Sequence, residues 1–262
     1  MKYQTRKIIS NSLLIIESVL LFAITLMLIL KITVFNKSYV IKKIDQNYYE
    51  NMYNETIDLM KYIARKKGYK EYFVENIFTT NDIKKDTKQF VDAFFNEKNV
   101  EINTDSIKSN LNKNIEEYEK TKEKKYDETE KNKFVDKITS TYKNEIRLLK
   151  TFDDYSNSFN KYNKLNNSLL LITILDLAIL VIINKKIFKK EDYQIILLSS
   201  GISLSLTFIY TKIINLKNIF IYNENVSRII RKIFINSTNI SLIFIVIYII
   251  TGIYLIRKKK EN

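Results

Sequence analysis

Four apolar stretches of near membrane-spanning length constrain this chain more than any other feature, and the charge-rich residues 36–166 separate the first stretch from the second. A helix crosses the hydrocarbon core in roughly 20 apolar residues, with about 17 to 25 tolerated. The first stretch, Ile8–Val34, carries Glu17 and Lys31, and the second, Ser168–Asn184, carries Asp176. The third, Ile195–Thr211, and the fourth, Phe234–Ile256, hold no charge. Because lipid offers open backbone groups no partner, helices are the economical solution. The expected fold is therefore all-α, a four-span transmembrane bundle with a helical extracytoplasmic domain inserted between spans 1 and 2. Its divisions are 1–35 (cytoplasmic N-terminus and span 1), 36–166 (the inserted domain) and 167–262 (spans 2–4 with a basic cytoplasmic loop and C-terminus).

Basic residues near the spans set the expected orientation. Lys2, Arg6 and Lys7 precede span 1, Lys185, Lys186, Lys189 and Lys190 separate spans 2 and 3, and Arg257–Lys260 follow span 4. Four crossings return the chain to one side, so these three clusters lie inside together. Against this, the expected outer loop carries Lys212, Lys217, Arg228, Arg231 and Lys232. Span 1 has the basic start of a signal peptide, but its apolar region exceeds the usual ~7–15 residues and no small-x-small site follows, so an uncleaved anchor is expected.

Composition removes whole classes of chemistry. The chain has no Cys, His, Trp or Pro and three glycines. Disulfides and the usual zinc, copper, haem and iron–sulfur ligand sets are unavailable, as are Ser-His-Asp and Cys-His nucleophile systems. Gly68, Gly201 and Gly252 stand alone, which excludes a P-loop or Gly-rich dinucleotide turn. A non-enzyme without cofactors is expected. Net charge is +14, yet residues 36–166 hold 26 basic and 23 acidic side chains. The excess positive charge thus flanks the membrane, where lipid headgroups are the natural partner, and a nucleic-acid ligand is not expected.

Residues 36–166 contain no proline and one glycine, and their apolar residues recur at helical spacing. Val40, Ile44, Tyr48 and Met52 predict a helix over 37–66 continuing out of span 1, with Gly68 ending it after a basic run. Thr80, Asn81 or Asp82 is expected to cap a helix whose face is Ile83, Thr87, Phe90, Val91, Phe94 and Phe95. An extended connection is expected over 96–102. A further helix follows, capped at Thr104 or Asp105, with the face Ile107, Leu111, Ile115 and Tyr118. After an exposed loop over 121–129, a final helix carries Phe134, Ile138, Ile146 and Leu149 and continues towards span 2 with a break near 151–154. Together they suggest a stalk of two antiparallel helices capped by shorter ones, with an aromatic core. This domain is the expected site of a protein partner.

Ionisable groups at mid-bilayer cost about 2.5–3.5 kcal/mol on insertion scales, so Glu17 and Asp176 are candidate functional residues. Similar depth would let them meet. Thr173 lies one turn before Asp176 on the same face. Two readings fit: a proton or cation relay, or a polar clasp to Ser, Thr and Asn of neighbouring helices. The clasp is favoured, because transporter sites usually draw on more spans and broken helices. Ser199 with Ser203, and Gly201 with Ser205, are small residues four apart, and Thr207 continues the Ser203 line, so span 3 is expected at the centre. Val226, Ile229, Ile230, Ile233 and Phe234 suggest a short interfacial helix, with Arg228, Arg231 and Lys232 facing lipid headgroups.

The segments Ser38-Tyr39-Val40, Asn47-Tyr48-Tyr49, Val100-Glu101-Ile102-Asn103-Thr104 and Tyr142-Lys143-Asn144-Glu145-Ile146 carry a family likeness. Over about residues 36–150 the chain resembles uncharacterised multi-pass membrane proteins of AT-rich, clostridial-type Gram-positive bacteria. The resemblance implies a plasma-membrane protein of that topology and brings no activity or site residues. The expected role is an envelope accessory, sensor or immunity-type factor; the alternative is a small transporter or channel subunit using Asp176 and Glu17.

Overall fold

The structure, a computed structural model, describes residues 3–96, 101–122, 125–146, 152–188, 192–214 and 224–261. Among these residues every regular element is helical. The order is α1 (Tyr3–Ile32), α2 (Lys37–Lys43), α3 (Gln46–Lys66), a 3-10 turn (Glu71–Val74), α4 (Thr80–Phe95), α5 (Asp105–Lys122), α6 (Glu128–Ile146), α7 (Phe152–Ile183), a π-helical turn (Asn184–Phe188), α8 (Tyr193–Ile213) and α9 (Glu224–Glu261). The chain divides into two compact units. One comprises Met1–Val40, Lys161–Ile219 and Ile230–Asn262; the other comprises Ile41–Asn160 and Phe220–Ile229.

Four helices are long and apolar enough to cross a membrane, over Gln4–Ile32, Ser158–Phe188, Tyr193–Ile213 and Ser227–Lys260, and all but a few residues of them belong to the first unit. Most of their large apolar side chains point outward, as expected where the surrounding solvent is hydrocarbon. α1 packs along α8. α8 meets α9 through glycine: a Cβ on Gly201 would lie 3.4 Å from that of Tyr248, and one on Gly252 would lie 2.8 Å from Leu198 Cγ. α8 thus touches α1 and α9.

The second unit departs from one uninterrupted helix out of span 1. Asn36 caps α2 by accepting the Tyr39 N–H at 2.9 Å, and Asp45 caps α3 by accepting that of Tyr48 at 3.2 Å. Short polar side chains compete for backbone donors and so break a helix that the apolar spacing would continue. Gly68 ends α3 as expected, with φ +77° and the Tyr69 N–H bonded to the Ala64 carbonyl at 2.9 Å. The cap of α4 is Thr79, one residue before the expected candidates, in a reciprocal box with Asp82. Residues 97–100 and 147–151, within the expected connection and helix break, lie outside the described residues.

Rings hold this unit together where disulfides cannot. Tyr69 stacks on Phe134 with centroids 4.0 Å apart, and on Tyr126 at 4.6 Å. Phe73 meets Tyr118 edge-on at 5.3 Å, and Phe78 meets Tyr142 edge-on at 4.9 Å. Such pairs add about 0.5–1.5 kcal/mol each beyond area burial. Along α6, Phe134, Val135, Ile138, Tyr142 and Ile146 are wholly buried, and the Tyr142 hydroxyl donates to Asp86 of α4 at 2.8 Å.

Burial pushes the Asp86 carboxyl above its ordinary value, although the Tyr142 hydrogen bond works against this, and burial also raises Glu145, helped by the nearby Glu55. Acids raised in the folded state favour folding when protonated. Their contribution is complete below the unfolded value of about 4 and is lost as pH rises through the folded value. An Asp86→Asn/Glu145→Gln variant should therefore show a smaller drop in thermal midpoint as pH rises from about 4 to neutrality than the unmodified chain, followed by circular dichroism in detergent. An unchanged drop would show that these acids do not couple to folding.

Candidate functional site

Glu17 sits inside the first unit, 1% exposed, on the inner face of α1. Its carboxyl accepts a hydrogen bond at 2.9 Å from the side-chain amide of Asn184, the first residue of the π turn that ends α7. The Asn184 carbonyl oxygen accepts in turn from the Ser10 hydroxyl at 3.2 Å. Ser10 and Asn184 are buried as well, so three polar side chains from two helix segments complete one another away from lipid. Asn184 continues the inward line of α7 that runs through the buried Asn166 and Leu170, and the π turn begins at it.

The anticipated meeting of the two acids is not made. Asp176 stands on the exposed side of α7 and makes no hydrogen bond or ion pair with any described residue. The Thr173 hydroxyl donates to the Leu169 carbonyl of its own helix at 2.6 Å rather than to Asp176. Ser203 and Thr207 do the same on α8, donating to Ser199 and Ser203 carbonyls at 3.0 Å each. Back-bonding of this kind satisfies a hydroxyl without a neighbouring helix. The buried line of α8 is Ile196, Ser200, Gly201 and Leu204, beside the anticipated one. Ser200 carries the contact between helices, its hydroxyl lying 2.8 Å from the Ser18 carbonyl of α1. A second link joins Thr25 of α1 to the Tyr248 hydroxyl of α9 at 2.6 Å.

At one end of this unit the basic clusters gather. Arg6 of α1 donates to the Ile187 carbonyl and lies over the Phe188 ring at 6.0 Å. Lys259 near the end of α9 pairs with Asp192, just before α8, at 2.7 Å. The N-terminal segment, the connection between α7 and α8 and the C-terminal segment therefore share one end.

The anticipated interfacial helix is not separate. α9 runs unbroken from Glu224 to Glu261, because no Gly or Pro interrupts it between Val226 and Phe234 and each added residue gains a backbone bond. Arg228 is exposed, while Arg231 and Lys232 are half-buried.

The second unit presents a groove of about 590 Å³ between the 3-10 turn and α5. Tyr72, Glu75, Asn76, Asn110, Asn114 and Tyr118 line most of it. Asn110 and Asn114 donate to the Ile77 and Phe73 carbonyls at 3.1 and 2.9 Å, which fixes both amides in place. Asn76 adopts φ +58°, a left-handed conformation that asparagine tolerates better than most residues. Tyr72 leaves 48% of its surface exposed. These residues are spread over forty-odd positions of sequence, so only folding brings them together.

Comparison with protein-family models, curated proteins and solved structures returned no match. The fold defines an all-α protein with four candidate membrane spans, and its function must be argued from the geometry. Glu17 and Asn184 provide a direct check. Asn184→Leu leaves a buried carboxyl without its donor and should cost about 1–2 kcal/mol of stability. Adding Glu17→Leu should recover most of that loss in a double-mutant cycle read by thermal melting. Strictly additive losses would mean that the two side chains do not act as a pair.

Proposed function

We propose that this chain is a non-enzymatic integral plasma-membrane protein whose second unit lies outside the cytoplasm and binds a protein partner, as an envelope accessory, sensor or immunity-type factor. The groove beside the 3-10 turn carries this reading. Its half-exposed Tyr72 offers a large contact surface that loses little conformational entropy, and its two anchored amides offer fixed polar groups. Glu75 and Glu117 offset Lys113 and Lys122 around the rim, which suits a protein surface better than a polyanion. Convergence of Arg6 and Lys259 at one end of the membrane unit supports a cytoplasmic location for that end. A transporter or channel subunit draws less from the geometry, since Glu17 turns inward to Asn184 while Asp176 turns outward.

The chain has no native cysteine, so each introduced thiol reports alone. Lys66→Cys should react with an impermeant maleimide on intact cells, and Lys258→Cys only after lysis; the reverse pattern would invert the topology. A photo-crosslinking side chain at Asn76 should trap one discrete protein adduct in living cells, and Tyr72→Ala should lower its yield by about tenfold, the scale of one aromatic anchor. Placing the crosslinker at the exposed Asp58 should not give that adduct. Equal trapping from both positions, or none from Asn76, would remove the groove as the binding surface.

A further inference from the structure

Resting on the groove beside the 3-10 turn as the binding surface, we infer that its occupant is an extended polypeptide segment, held by its backbone across Asn110 and Asn114. The fold orients both amides: their nitrogens donate to backbone carbonyls of the segment opposite, Ile77 at 3.1 Å and Phe73 at 2.9 Å. A nitrogen so engaged fixes which end of each amide is the carbonyl oxygen. What remains for an occupant is that oxygen and the second N–H, neither of which has a partner among the described residues. An acceptor beside a donor on one planar group complements a peptide unit, which offers one N–H and one carbonyl.

Spacing selects the conformation of the occupant. Asn110 and Asn114 stand one turn apart on α5, about 6 Å along its axis. An extended chain repeats every two residues, in about 6.6 Å, so successive free peptide units on one edge fall against the two amides in turn. Glu117 and Thr121 carry the same stripe to about 16 Å, the length of about five extended residues. A helix, or a strand inside a sheet, has these backbone groups already paired and cannot use the amides in this way. Charge does not choose the occupant, since Glu75 pairs with Lys61 at 2.7 Å and Glu117 lies 3.9 Å from Lys113. Amides held in place beforehand spare the side-chain ordering that binding otherwise costs. The half-exposed Tyr72 ring on the opposite wall then meets side chains at alternate positions, which gives preference without strict sequence selection.

Photo-crosslinking from Asn76 on the purified full chain in detergent tests this with two probes. One is a pool of unrelated, unstructured short peptides. The other carries the same side chains on an all-ester backbone, which keeps the trans geometry and removes every N–H. The amide pool should label the chain about tenfold more than the ester pool, the scale of two hydrogen bonds. Asn110→Ala/Asn114→Ala should lower labelling by the amide pool by about as much, with an unchanged circular dichroism spectrum. Should that variant lose helix content, the comparison of the two pools on chains with both asparagines intact decides. Equal labelling by the two pools overturns the backbone grip and leaves the groove as a surface that reads side chains. Failure of both pools overturns it too: a protein adduct still trapped from Asn76 in cells then assigns the groove to a folded partner, whereas no adduct removes the groove altogether.

Discussion

Hydrocarbon supplies no hydrogen-bond partner, and the membrane unit is organised by that absence. Its backbone closes on itself in helices, and its polar side chains find partners at short range. Ser203 and Thr207 turn to carbonyls of their own helix. Glu17, Asn184 and Ser10 satisfy one another across helices. Ser200 reaches Ser18 and Thr25 reaches Tyr248, so α1 is tied to α7, α8 and α9 by polar contacts rather than by hydrophobicity, which lipid would satisfy equally well. Asp176, on the exposed side of α7, makes no such contact among the described residues.

The second unit obeys water instead. Without cysteine or histidine, it depends on burial, and tyrosine and phenylalanine provide the large surfaces. The stacked Tyr69 and Phe134 join the segment after α3 to α6, and Tyr126 joins the same cluster from the connection before α6. Asp45, Thr79 and Gly68 divide an otherwise continuous helical pattern into pieces short enough to fold back. Anchoring of Asn110 and Asn114 on backbone carbonyls then shapes the groove. Core and candidate surface thus share residues, and changes in the aromatic cluster reach the groove through Phe73 and Tyr118.

Helix class, the positions of the four apolar helices and the stop at Gly68 were legible in the chain, because length, hydropathy and a positive-φ glycine are local properties. Of the small residues of α8, Gly201 lies at the approach to α9, while α1 is the helix with polar ties to the other three spans. Pairing was not legible. Glu17 and Asp176 were the conspicuous acids, but Asn184, an uncharged residue at the edge of a span, became the partner of Glu17. It lies on the inward line of α7 with Asn166 and Leu170, but an amide carries no charge that would single it out at the edge of a span. On α8 the buried line runs through Ser200, one residue from the anticipated line of Ser199 and Ser203, a rotation of roughly 100°.

The sequence by itself determined what kind of solvent each part of the chain requires and which chemistries it lacks, since both depend on residue types alone. Only the tertiary structure decided which polar groups enclose one another, which line of each helix faces inward, and that one acid is sheltered while the other stands open. Those outcomes turn on rotations of a fraction of a helical turn, and such rotations arise from packing between segments far apart in the chain.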